Sequence, residues 1–132
     1  MNDVNFVTVA VAAVAVWIVS TGYYIGFTKQ MAALHPAYAD SADVRPPAWK
    51  IVVELTRNLI VATVVACLAQ RLDITGWADG VALGITLWIG FPIVLWTGAV
   101  MWERVPPKLA AIHAGDWLVK LLVISIVVTV WN

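Results

Sequence analysis

Two apolar segments of this chain each carry an acid and a base at helical spacing, and any chemistry it performs would centre on those four side chains. Glu54 and Arg57 stand three apart in one segment, with Asn58 next to the base. Asp116 and Lys120 stand four apart in the other, with His113 three residues before the acid. On an α-helix, residues at i, i+3, i+4 and i+7 share a face. Glu54, Arg57 and Asn58 therefore form one polar stripe, and His113, Asp116 and Lys120 a second. The chain around them is 62% hydrophobic and 12% charged, with a mean hydropathy of +0.88. That is too apolar to furnish a soluble surface, so a lipid bilayer is the expected solvent. Ionisable groups at bilayer depth are costly unless they face a bundle interior, a wet cavity or one another, which makes the two stripes the candidate site.

If the stripes meet, opposite charges offset much of each other's desolvation, whereas a partner left alone is expensive. The expected pairings are Glu54 with Lys120 and Arg57 with Asp116. Three readings are open. The cluster is a neutral ionic lock that fixes which helix neighbours which; or its long side chains snorkel to the surface; or it is a wet polar site that binds or passes a proton, an ion or a small polar molecule. Snorkelling suits Lys50 and Lys108 but not Lys120, which lies about 18 Å of helix from the C-terminus. In the third reading His113 would make the site pH-responsive, since imidazole ordinarily titrates at about 6.5.

The elements that must position these residues are four helices, at about 4–28, 48–71, 78–102 and 108–131, in a single domain spanning 1–132. Val4 to Thr28 and Gly80 to Trp102 contain no charged residue, and each exceeds the roughly 20 residues needed to cross a hydrocarbon core. The other two are charged in their first halves and clean beyond. Met1-Asn2-Asp3 offers no basic region of the kind that opens a cleaved signal peptide, so the first segment is expected to remain as a helix. Lys29, Arg45 and Lys50 flank one connection, Arg104 and Lys108 another, and only Arg71 lies in the remaining loop. The excess of bases on the cytoplasmic side then puts both termini on the extracytoplasmic side. Trp49, Trp77, Trp102 and Trp131 fall at span ends, where an aromatic belt belongs. Thr28 to Pro47 reads as an irregular loop or a short interfacial helix. Pro46-Pro47 and Pro106-Pro107 each open a charged helix, where a missing N–H needs no partner; the parallel between the halves is the pattern an old duplication would leave.

Gly22 and Gly26, and Gly80 and Gly84, are four apart, the small-xxx-small spacing that lets helices approach closely; packing within the chain is the expected use. Pro92, after Gly90-Phe91, removes an N–H and is expected to kink the third helix. Trp17, Trp88, Trp96 and Trp117 lie inside spans and read as packing residues, with a cation cage as a weaker alternative. No spacing resembles a metal-ligand motif, a site from His35, Asp40, Asp43 and His113 requiring a loop to fold back. A zero net charge gives no case for nucleic acid. Cys67 is the single cysteine and has no partner for an intrachain disulfide. No hydrolytic, phosphate-loop or dinucleotide pattern is present, so neither an enzyme nor a cofactor is expected.

The run Trp88-Ile89-Gly90-Phe91, then Trp102-Glu103-Arg104, the Pro pair, and Leu109 to Lys120 with Gly115-Asp116-Trp117 resembles the bacterial membrane family known as domain of unknown function 1761. Asn5 before the first apolar run, and Gly22-Tyr23-Tyr24 followed by Phe27, are similar to it as well, with Tyr-Tyr here in place of Trp-Tyr. The resemblance implies a multi-pass protein of the bacterial cell (inner, or plasma) membrane with no assigned activity. The expectation is an all-α, four-helix transmembrane bundle that forms a homo-oligomer. It would act as a pathway for protons, ions or a small polar solute, or alternatively as a structural or accessory subunit of a larger membrane complex.

Overall fold

The computed structural model describes residues 4–36 and 46–131, and all of its regular structure is helical. Five helices follow in order: α1 Phe6–Leu34, α2 Ala48–Arg71, α3 Trp77–Gly90, α4 Pro92–Trp102 and α5 Pro107–Val130. With α3 and α4 taken as one interrupted span, there are four helices long and apolar enough to cross a membrane.

Local chemistry sets the ends. Asn5 caps α1, its side-chain oxygen accepting from the amides of Val7 and Thr8, two of the donors a helix start leaves free. At the other end α1 runs past Thr28 to Leu34, so the expected loop is shorter; its segment 37–45, with Asp40 and Asp43, lies outside the described residues. Pro107 stands in the first turn of α5, and Pro47 caps α2. The α2–α3 turn needs left-handed backbone at Asp73 (φ 52°) and Gly76 (φ 88°), the latter a conformation glycine adopts without penalty. The Gly76 amide donates to the Thr129 carbonyl, tying this turn to the end of α5. α4 closes with Arg104 at φ 56° while the Val105 amide reaches back to the Ala99 carbonyl.

Pro92 does more than kink the third span. Phe91 leaves helical geometry (φ −123°, ψ −72°), α3 ends at Gly90, and α4 restarts with Pro92 in its first turn.

α5 is the hub, packing on α1, α2, α3 and α4. Its Leu121, Ile124 and Val128 meet Val9, Ala12 and Val16 of α1, Ala62, Val65 and Ala69 of α2, and Leu83 of α3 in one buried cluster. The alanines in that set allow close approach of backbones. α2 and the α3–α4 span lie to either side of α5 without packing extensively on each other, which leaves an open groove between them. Outward faces are apolar, with Ile18, Ile25 and Leu95 at least 60% exposed, as suits a hydrocarbon solvent. Trp49, Trp77, Trp102 and Trp131 are all exposed at helix ends.

The two glycine pairs part company. A Cβ on Gly80 would collide with the Thr129 hydroxyl, and one on Gly84 would lie 3.1 Å from the Leu121 carbonyl oxygen, so both sit directly against α5. Gly22 and Gly26 meet nothing within 4 Å. The intrachain packing expected of them is not made, because they lie on the outward side of α1.

Candidate functional site

Asp116 and Lys120 are one turn apart on the buried face of α5, with Lys120 Nζ 3.2 Å from Asp116 Oδ2. The same ammonium is 3.3 Å from Oε1 of Glu54 on α2. Glu54 Oε2 in turn accepts from Arg57 Nη1 at 2.8 Å, along its own helix. At the far end the Ser20 hydroxyl of α1 donates to Asp116 Oδ1 at 2.5 Å. The result is one unbranched relay, Arg57–Glu54–Lys120–Asp116–Ser20, alternating in charge and neutral overall, that ties α2, α5 and α1 together. Such neutrality is what ionic groups at bilayer depth require.

Of the two expected pairings, Glu54 with Lys120 is made and Arg57 with Asp116 is not. Arg57 folds back onto the acid one turn before it, while Asp116 already has a hydroxyl and an ammonium within its short reach. Lys120 also lies 5.0 Å from the centre of the Trp117 ring, close enough for a cation–π contribution.

Asn58 is 3% exposed, and its amide nitrogen has no hydrogen-bond partner; the Ser125 hydroxyl, fully buried further along α5, has none either. Unpaired buried donors are uncommon and costly. They mark two places in the interior where a water or a polar guest would be stabilised.

His113 stands apart from the relay. Its ring packs parallel to Trp96 of α4, centroids 4.7 Å apart, and its Nδ1 is 2.8 Å from the Tyr24 hydroxyl of α1. The turn of α5 around it is gripped from two sides. From α1, Tyr23 donates to the Ile112 carbonyl at 2.6 Å; from α3, Trp88 Nε1 donates to the Ala114 carbonyl at 2.7 Å. Gly115 lies directly under the Tyr23 hydroxyl, where a Cβ would collide.

Sequence reasoning missed Ser20, Tyr23 and Tyr24 as site residues. The available signal was their spacing, since Ser20, Tyr23, Tyr24 and Phe27 fall at i, i+3, i+4 and i+7 on α1, a stripe obscured by its apolar surroundings. Among the described residues no group of three or more His, Cys, Asp or Glu side chains could hold a metal.

Fold and site together define a helical protein of multi-pass membrane architecture with a buried ionic relay. The chain belongs to the family of proteins of unknown function DUF1761, whose model matches residues 7–129. No curated protein and no solved structure matches the chain. The match spans all five helices. The residues that carry the family resemblance are contact points here: Trp88 holds Ala114, Gly115 admits Tyr23, Asp116 binds Ser20, and Trp117 lies beside Lys120.

Proposed function

We propose that this is a non-catalytic, homo-oligomeric protein of the bacterial cell membrane whose relay gives a proton, an ion or a small polar solute a route from one face of the bundle into its core. The observation that carries the reading is the gradient of exposure along the relay. Side-chain exposure falls from 55% at Arg57 through 36% at Glu54 and 7% at Lys120 to 2% at Asp116. A purely structural pair has no need of an open end, whereas a route inward requires one. The Asn58 amide nitrogen, which has no partner and lies one residue from Arg57, adds a polar station beside it. Beyond Lys120, Ala12, Val16, Ala62 and Ile124 fill the interior, so passage across requires that layer to part. Lysines and arginines cluster on the connections that precede α2 and α5, the helices whose first halves carry the relay, which supports a cytoplasmic-side location for it and extracytoplasmic termini. The small size of the chain and its apolar outer faces suit symmetric assembly.

The test is flux into liposomes carrying the folded protein and an internal pH dye, under an imposed potential. Uptake should occur with the native chain and fall at least tenfold with Asp116→Asn or Lys120→Met. No flux of protons, monovalent ions or small polar solutes from a demonstrably folded sample would overturn the proposal. A second reading, an accessory subunit of a larger membrane complex, is favoured by the complete mutual pairing of the four charges, as an ionic lock would have it. Copurification of a stable partner from native membranes tests it.

A further inference from the structure

Each carboxylate oxygen of the relay is already engaged. Glu54 Oε2 accepts from Arg57 at 2.8 Å and Oε1 from Lys120 at 3.3 Å, while Asp116 Oδ2 lies 3.2 Å from the same ammonium and Oδ1 accepts from Ser20 at 2.5 Å. That occupancy sorts the species a route through the relay could carry. A hard metal cation needs oxygens for its shell and would have to take them from Lys120, whose own positive charge opposes its entry. A polar solute would have to part ion pairs that leave Lys120 5% and Asp116 1% exposed. A proton displaces nothing, since it needs only donors and acceptors in contact. The far end of the same seam between α1, α2 and α5 has room for water alone. Thr8, about 18 Å of helix from Ser20, and Gln70, as far from Asn58, line with Asn5 a void of about 10 Å³, the space of a single water.

We propose, resting on the route described above, that the species carried is the proton and that Lys120 passes it by exchange between the two acids. Glu54, the more exposed acid, takes a proton from water, which leaves Asp116 as the ammonium's one anionic partner. Lys120 then releases a proton from Nζ to Asp116 Oδ2 as it takes the proton of Glu54 from Oε1. Lys120 ends as the ammonium it began, Glu54 is again a carboxylate and Asp116 is a neutral acid, so one proton has moved from α2 into the core and the charges otherwise balance. Arg57 holds Glu54 in place but exchanges nothing, because a guanidinium keeps its protons. Tyr23 and His113 also feel the charge on Asp116, but the hydroxyl of the first is committed to the Ile112 carbonyl and the ring of the second to Tyr24 and Trp96.

The experiment imposes a pH gradient across liposomes carrying the full chain, with equal potassium on both sides and valinomycin to clamp the potential, and follows an internal pH dye. The native chain should acidify the lumen at one rate whether the buffer holds sodium chloride or choline gluconate. Lys120→Arg keeps the positive charge and the bridge to both acids but has no proton to exchange; it should melt at the native temperature and slow the flux by at least about a hundredfold. Glu54→Gln removes the entry acid at a part-exposed position and should slow it equally, which decides the question if the arginine variant fails to fold. In infrared difference spectra the native chain should gain a protonated-carboxyl band on acidification that Asp116→Asn removes, and absence of that band would overturn Asp116 as the acceptor. Native proton flux in a folded Lys120→Arg or Glu54→Gln variant would overturn the exchange. Sodium or solute flux that survives Lys120→Arg would overturn the proton as the species while leaving the route standing, whereas no flux of any kind from the native chain would overturn the route itself.

Discussion

Lys120 and Asp116 lie 3.2 Å apart on one helix, yet each takes its second partner from a different neighbour, Glu54 of α2 for the base and Ser20 of α1 for the acid. Two consecutive turns of α5 thereby hold three helices in register.

That arrangement ranks the variants. Lys120→Met leaves Asp116 buried with only a hydroxyl and should cost about 3–5 kcal/mol. Combined with Asp116→Asn, the loss should fall short of the sum by more than about 1 kcal/mol, while Asp116→Asn with Arg57→Gln, a pair not in contact, should couple less. Reversible unfolding in bicelles measures both cycles. Coupling under about 0.5 kcal/mol between Asp116 and Lys120 would show that the pair is energetically idle.

Gly115 and Tyr23 offer a suppressor test. Gly115→Ala drives a methyl into the Tyr23 hydroxyl and should cost about 1–3 kcal/mol. Tyr23→Phe alone loses one hydrogen bond, about 1 kcal/mol, but it clears the space, so the double variant should be more stable than the sum of the two losses implies. Simple additivity would refute the contact.

The glycine pairs should diverge just as clearly. Gly84→Ala presses a methyl against the backbone of Leu121 and Leu122, which cannot rotate away, and about 1–3 kcal/mol should be lost. Gly22→Ala and Gly26→Ala should stay within about 0.5 kcal/mol. A loss of oligomer without a loss of protomer stability in the latter two would assign that face to contacts between copies.

For the orientation, single cysteines in a Cys67→Ala background should react with an impermeant maleimide from outside intact cells at Thr75 and Asn132, and be protected at Ser41 and Lys108. The reverse pattern would place the open end of the relay on the extracytoplasmic side.

Hydropathy and charge made the spans legible, because a bilayer demands long apolar helices whatever the sequence detail. The meeting of Glu54 and Lys120 was legible too, since both are expensive alone and lie at similar distances from their span starts. Arg57 was misplaced for a reason that spacing cannot reveal. A long guanidinium can serve either the next helix or the turn below, and the choice depends on helix rotation, which emerges only on packing. Ser20 was silent because a serine in an apolar run can equally bond its own helix, as Thr21 does with the Trp17 carbonyl. The length of α1 escaped because Lys29 and Gln30 end the apolar run without ending the helix. Pro92 announced a disturbance, but a kink and a full break begin from the same missing amide.

The hydrogen-bonded order of the relay also bears on biosynthesis. α5 emerges from the ribosome after the helices it joins, so α2 must enter the bilayer before Lys120 exists, and a lone charge near a helix centre costs about 2.5–3.5 kcal/mol on insertion scales. Glu54 carries Arg57 on its own helix, and Asp116 carries Lys120 on its own. Each charged segment thus reaches the translocon as a self-neutralised unit that can partition alone, and the bond from Glu54 to Lys120 is left to form last, between helices already in the membrane.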